Sequence, residues 1–294
     1  MFTMMKTIAH RQLLWLWLVL APMIATAQGG SAAILLAKFQ ASQPQLQRNV
    51  FGRPMVLQSV EAHDQVSGSV HAVIDHPFAY VSNSLREPAV WCEILMLHLN
   101  TKHCAVREIS GAAALAVAIG RTYDQPLPDA QRIDFAWRSA AITSDYLAVH
   151  LSATQGPFST RDYRMELEAI PLDGGKTFVH LAYAYADGIV ARLAMQIYLA
   201  TIGSGKVGFT VIGENSAGRP EYVGGVRGVV ERNTMRYYLA IDAYLNAPGD
   251  QQLEERLVRW FDSTEKYSHQ LREMSRDRYL AMKREEFARM KAAR

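Results

Sequence analysis

YRMELEAIPLDGGKTFVHLAYAYAD, residues 163–187, is the stretch on which the fold turns. Tyr163, Met165, Leu167 and Ala169 alternate with Arg164, Glu166 and Glu168, the period of two that gives a strand one apolar and one polar face. Asp173-Gly174-Gly175 is a hairpin signal, because tight turns need the positive φ that glycine adopts freely. Lys176–Asp187 then returns as a second strand with Val179, Leu181, Tyr183 and Tyr185 on one side. A hairpin with one apolar face demands a second layer to cover that face.

The same period extends upstream. Residues 112–123 read as a strand closed by Pro126 and Pro128. Ile133, Phe135 and Trp137 alternate with polar or small residues, as do Leu147, Val149 and Leu151. With turns at Thr143-Ser144-Asp145 and Gly156-Pro157, these make five consecutive strands, an antiparallel meander. Before it lie two further strands, 54–62 and 66–74, and a helix pair between Asp75 and Leu99 that Pro88 divides. Asp75 is a good cap residue for the first helix, and Pro77 would fall in its first turn, where proline is tolerated.

After the meander comes an apolar segment, 189–202, too short to span a bilayer. It reads as a lid, a core helix or a membrane-contacting segment. From about Glu221 to Leu245, Val226, Val230, Asn233, Tyr237, Ile241 and Tyr244 recur at helical spacing, and Ala247-Pro248-Gly249 ends the helix. A charged helix is expected over 251–291. Its Leu257, Trp260, Thr264, Tyr267, Leu271 and Met274 follow heptad spacing, a seam for the protein's own body, a second copy, or a membrane or envelope partner.

The N-terminus has its own logic. Lys6 and Arg11 precede the apolar run from Leu13 to Ile24, Ala25-Thr26-Ala27 supplies small residues at a cleavage site, and no acidic residue occurs before Glu61. This predicts a secretory signal over residues 1–27, cleaved after Ala27, with the periplasm as destination. Residues 28–53 lack a sustained period and read as a leader with one short helix.

Net charge is +3, but it is unevenly placed: residues 251–294 hold 11 Lys and Arg against 8 Asp and Glu, so the body is weakly acidic. No basic patch reaches what nucleic-acid binding requires. At 49% hydrophobic residues the chain can build a sizeable core. Its only cysteines, Cys92 and Cys104, could pair in an oxidising compartment if the chain turns between them. Two free thiols, or a metal site with His98 and His103, are the alternatives, and the spacing is looser than zinc sites favour. We therefore expect no metal and no cofactor.

The order of elements, the helix pair at Asp75–Leu99 and the glycine-rich approach Gly224-Gly225-Val226-Arg227-Gly228 to the last long helix resemble the START-like helix-grip superfamily, also called SRPBCC or Bet v 1-like. The resemblance covers residues 54–246. It implies an α+β fold in which a curved antiparallel sheet wraps around the long C-terminal helix, with a ligand cavity between them. The segment 189–212 departs from the simplest pattern, where the last strand leads almost directly into the helix.

No chemical motif singles out a reaction. Gly203-Ser204-Gly205-Lys206 lacks the spacing of a phosphate loop, and no G-x-S-x-G is present. His150, His180, Glu166, Glu168 and Asp187 lie in the meander, but parity puts His150, Glu166 and Glu168 on the face away from the core, so no catalytic residue is assigned. Tyr183 and Tyr185 share a strand face, and Asn233, Arg236 and Tyr237 sit on the closing helix; these five are the candidate ligand-binding residues. The expected function is non-enzymatic binding or shuttling of an apolar or amphiphilic small molecule, a lipid included. A structural protein that recruits a partner through its C-terminal helix, and a cyclase or hydrolase of the same superfamily, are the alternatives.

Overall fold

The computed structural model of the chain describes residues 23–62, 64–187 and 205–293. In chain order the elements are helix α1 (Met23–Gln47), strands β1 (Met55–Glu61) and β2 (Gln65–Ile74), and helices α2 (Phe78–Leu85) and α3 (Pro88–Leu95). Strands β3 (Thr101–Ile109), β4 (Ala112–Ile119), β5 (Gln131–Ile142), β6 (Leu147–Gln155), β7 (Thr160–Leu172) and β8 (Lys176–Asp187) follow. A short hairpin, β9 (Val211–Glu214) and β10 (Pro220–Tyr222), leads into α4 (Gly225–Asn246), and α5 (Leu253–Glu265), α6 (Ser268–Leu271) and α7 (Arg276–Ala292) complete the chain.

Eight strands form one antiparallel sheet in the order β1-β2-β8-β7-β6-β5-β4-β3. The meander thus has six strands. β3 is the one the sequence reading did not assign. The β1–β2 hairpin joins the sheet through β2 against β8, while α2 and α3 carry the chain from β2 to the far edge at β3. Leu115, Ile133, Val149, Leu167 and Leu181 point to the inner face and are buried, which is the layer the period of two demanded.

α4 lies across that inner face, and the fold is a helix-grip α+β architecture. The helix approaches β2 so closely that a Cβ at Gly68 would stand 2.4 Å from the Thr234 hydroxyl, so Gly68 sets the depth of the helix. Glu231, fully buried, fixes the loop ahead of α4 by accepting hydrogen bonds from the Phe209 and Thr210 amides and from the Ser59 and Thr210 hydroxyls. A buried carboxylate is stable only when its oxygens are satisfied in this way.

Cys92 and Cys104 form a disulfide with Cα atoms 5.2 Å apart, tying α3 to β3. The expected single helix over 251–291 is three helices. The chain breaks after Leu271 because Arg236 of α4 takes the Leu271 carbonyl at 3.2 Å and the Glu273 carboxylate at 3.0 Å. The heptad seam is spent on the protein's own body. Leu257, Trp260, Thr264, Leu271 and Met274 are buried, the Trp260 indole donates to the Arg236 carbonyl, and the Tyr267 hydroxyl donates to the Phe51 carbonyl. Buried charges secure the rest: Arg256 pairs with Glu93, while Lys102 and Lys283 share Glu286.

Residues 28–53, read as a leader, carry most of α1, a 25-residue helix laid on the outer face of the sheet. Residues 1–22 of the expected signal and the apolar segment 189–202 lie outside the described residues. Among the described residues no helix is long and apolar enough to cross a membrane.

Candidate functional site

Beneath α4, alternation on β5, β7 and β8 brings four aromatic side chains to one end of the inner face. Tyr163 stacks on Tyr185 at 5.3 Å between ring centroids, Tyr183 lies 5.9 Å from Tyr185, and Phe135 meets Tyr163 edge-on at 6.2 Å. Tyr237 of α4 comes down onto Tyr183 at 5.3 Å. Of the five residues expected at a ligand site, the structure therefore joins Tyr183, Tyr185 and Tyr237 directly. Asn233, one helical turn before Tyr237, shares its face and connects through His98, whose Nε2 lies 3.3 Å from the Asn233 side-chain oxygen. Arg236 is committed elsewhere, to Leu271 and Glu273.

Tyr163, Phe135 and His98 complete the cluster and were not singled out from sequence. Tyr163 and Phe135 carried a usable signal, since both share the inward parity of Tyr183 across paired strands. His98 carried none, because it lies just beyond the end of α3 and is brought in by the turn to β3.

The electrostatics of the cluster are those of an uncharged site. Burial, then the positive charges of Arg236 and Lys283, push the His98 imidazole down to about 3, against the Asn233 hydrogen bond. Burial likewise raises the Tyr183 and Tyr237 phenols above their ordinary value, so both keep their protons at neutral pH. The Tyr163 hydroxyl exchanges a hydrogen bond with Thr160 at 2.9 Å. The Tyr237 hydroxyl makes none among the described residues, and its side chain, deep in the molecule, keeps accessible surface.

A second cluster lies on the outer face, under α1. His180 Nδ1 bonds Glu168 at 2.9 Å, the Tyr146 hydroxyl donates to the other Glu168 oxygen at 2.5 Å, and His71 stacks on His180 with centroids 4.4 Å apart and planes 9° from parallel. Parity correctly turns Glu168 away from the core, but that face is covered, not solvated. Leu35, Phe39 and Leu46 of α1 close over Phe178, Ile170 and Tyr146. Burial, then the positive neighbours His180 and Lys38, push His71 down to about 4. Burial works to raise Glu168, but the hydrogen bonds from His180 and Tyr146 and the charges of His180 and Lys38 prevail and hold it down to about 2. His150 and Glu166 sit opposite each other farther along the same face, beyond this cluster and half-buried. Among the described residues no group of three or more His, Cys, Asp or Glu is arranged to hold a metal.

With that geometry in place, comparison with known proteins adds little. No family model and no curated protein sequence matches the chain. Solved structures of similar fold include a norcoclaurine synthase point mutant from Thalictrum flavum in complex with a transition-state analogue, 8% identical with a TM-score of 0.32 over 51% of this chain and 89% of that one. They also include human StAR-related lipid transfer protein 5, 7% identical with a TM-score of 0.31 over 60% and 90%, and a hypothetical protein from Helicobacter pylori, 9% identical with a TM-score of 0.37 over 60% and 85%. These TM-scores are low, and no ligand or reaction is carried over from them. The helix-grip class stands on the strand order and on α4 crossing the inner face.

Proposed function

We propose that this is an exported protein that holds an apolar or amphiphilic small molecule between the inner face of the sheet and α4, without transforming it. The observation that carries the reading is the Tyr237 hydroxyl, unpaired among the described residues and backed by Tyr163, Tyr183 and Tyr185 in a mostly aromatic lining. Aromatic walls with one or two directed polar groups are what small-molecule pockets use to combine burial with orientation. Binding fits the chemistry better than catalysis, because the groups that act electrostatically on Tyr183 and Tyr237 are tyrosines and Arg236, with no carboxylate among them. Recruitment of a partner through the C-terminal helices has less support, since their apolar seam is already buried on the body.

Native mass spectrometry of the protein purified from the cell envelope tests this. A non-covalent adduct that organic extraction releases intact is the expected result, and the polypeptide mass should correspond to a chain starting at Gln28. A chemically altered ligand would turn the reading toward catalysis. An empty protein that takes up no amphiphile from vesicles would end it, and an N-terminus at Met1 would end the export part alone.

A further inference from the structure

The eight-stranded sheet has two edges, β1 and β3, and they are finished differently. β3 carries a register shift between Thr101 and His103, and its exposed half includes Arg107 and Glu108. Bulges and outward charges are the usual means by which an edge strand refuses further pairing. β1 has neither. Its ladder with β2 runs unbroken from Met55 to Glu61, and the only charge among its seven residues is the last one. Among the described residues no strand pairs with the other side of β1, which leaves a row of backbone amides and carbonyls open there.

The apolar surface beside this edge points the same way. Val50, just ahead of the strand, is 84% exposed and Val60 within it 62%, the two most exposed large hydrophobic residues described. Val56, Gln58 and Val60 share the outer face of β1, with Val56 opposite His71 and Val60 opposite Ser67. Val56 packs at the margin of the cluster under α1, whereas Val60 stays open. The strand is complementary to itself. Two copies laid antiparallel about Gln58 pair over its whole length: Gln58 meets Gln58, Val60 meets Val56, and Glu61 meets Met55 of the second copy. Each Val60 then gains an aliphatic neighbour, and the two Gln58 amides are placed to exchange hydrogen bonds. The one charge, Glu61, falls near Arg53 of the second copy and a full strand length from the second Glu61, so no like charges oppose each other.

We propose that β1 is a self-association edge, through which a second copy of the chain pairs antiparallel about Gln58 and the two sheets become continuous. The inference is independent of any ligand beneath α4. A seven-residue ladder is a small interface, so the dimer is reversible and forms as concentration rises.

Sedimentation velocity of the intact mature protein, over a rising micromolar concentration series, should show a reversible monomer–dimer equilibrium. Val60→Lys should weaken it about tenfold, because the twofold axis counts each substitution twice. Val106→Lys, on the β3 edge, should leave it unchanged. Gln58→Cys gives a second readout. Cys92 and Cys104 are paired with each other, so the added thiol is the only one free to react. Mild oxidation should then yield a disulfide-linked dimer that reductant separates. A protein that stays monomeric throughout, with Gln58→Cys not cross-linked, overturns the proposal. A dimer indifferent to Val60→Lys puts the interface elsewhere and overturns it too. Cross-linking of Gln58→Cys to a different polypeptide in envelope extracts, with the purified protein monomeric, overturns the second copy as the occupant of this edge.

Discussion

Helix α4 covers the inner face of the sheet and α1 covers the outer face, and the two closures differ in both grip and chemistry. α4 buries most of its length, with Val230, Met235, Leu239, Ile241 and Leu245 in the main core and Gly68 admitting it close to the strands. α1 holds on through Leu35, Phe39 and Leu46, and its Ile34 and Leu36 face outward. Below α4 the polar groups are protonated phenols and a neutral imidazole; below α1 lie Glu168, His180 and His71, with Lys38 close by. The closure by α4 does not turn on the protonation of the aromatic cluster, whose phenols keep their protons and whose His98 stays neutral near neutral pH. A cover laid over histidines is conditional on their protonation.

That contrast can be broken in several ways. The largest effect is expected inside. Tyr183→Ala, which removes a buried ring packed against Tyr163, Tyr185 and Tyr237, should cost about 3–5 kcal/mol in urea unfolding. Phe39→Ala should cost less than half as much and expose α1 without moving the main transition; equal costs would show the two faces to be equally integral. The disulfide reinforces the inner closure at α3, and Cys92→Ser with Cys104→Ser should remove about 2–3 kcal/mol from a loop of this length.

Acid should act on the outer closure. His71 is held down to about 4 from an ordinary 6.5, so covered His71 resists a proton that uncovered His71 accepts. The stability that α1 gains is therefore complete above about pH 6.5. It declines as pH falls and is spent near pH 4, at about 1.4 kcal/mol per unit. Glu168, held at about 2, contributes above pH 4.5 and loses its share only below that. The groups facing His71 are Lys38 from α1, Glu168 from β7 and His180 from β8. Hydrogen exchange at pH 7 and 4.5 should show residues 31–47 losing protection before β6–β8 do, by about 2–3 kcal/mol. His98 adds a loss in the same direction down to about pH 3, but it acts on the main core. His71→Phe, which keeps the stacking surface, should hold α1 in place at pH 4.5. Simultaneous exposure of α1 and the sheet would show that the outer helix is not separately titratable. The smallest effect belongs to the part of the outer face α1 does not reach: His150→Ala opposite Glu166 should shift stability by no more than about 0.5 kcal/mol.

These differences track what the sequence could show. Strands β4–β8 were legible because their inward residues alternate cleanly, Tyr163 to Ala169 most of all. β3 was not, because Thr101–Ile109 is an edge strand whose far half, Val106 included, is solvent-facing. α1 was read only as one short helix for a similar reason: three anchors spread over twelve residues, with Pro44 inside the helix, make no sustained period. Tyr183, Tyr185 and Tyr237 could be placed together by parity and helical spacing. Arg236 could not be excluded that way, since its partner Glu273 and the chain break that goes with it are tertiary facts. His98 and the outer histidines depend on which elements cover them, and local pattern carries no such information.

The seam between β2 and β8 has a consequence for how the protein is made. Its pairs run from Ile74 with Thr177 to Gln65 with Ala186, separations of 103 to 121 residues. Every junction from β3 to β8 is a hairpin between neighbours and can zip as soon as both strands exist, whereas this one closes a very long loop at a high entropic cost. A chain emerging from its N-terminus would carry the β1–β2 hairpin unpartnered until the last meander strand had appeared. Sheet completion is thus the slow event of folding. A substitution along β2, such as one at Gly68, would be felt first as delayed maturation and greater exposure to proteases before it was felt as lost stability.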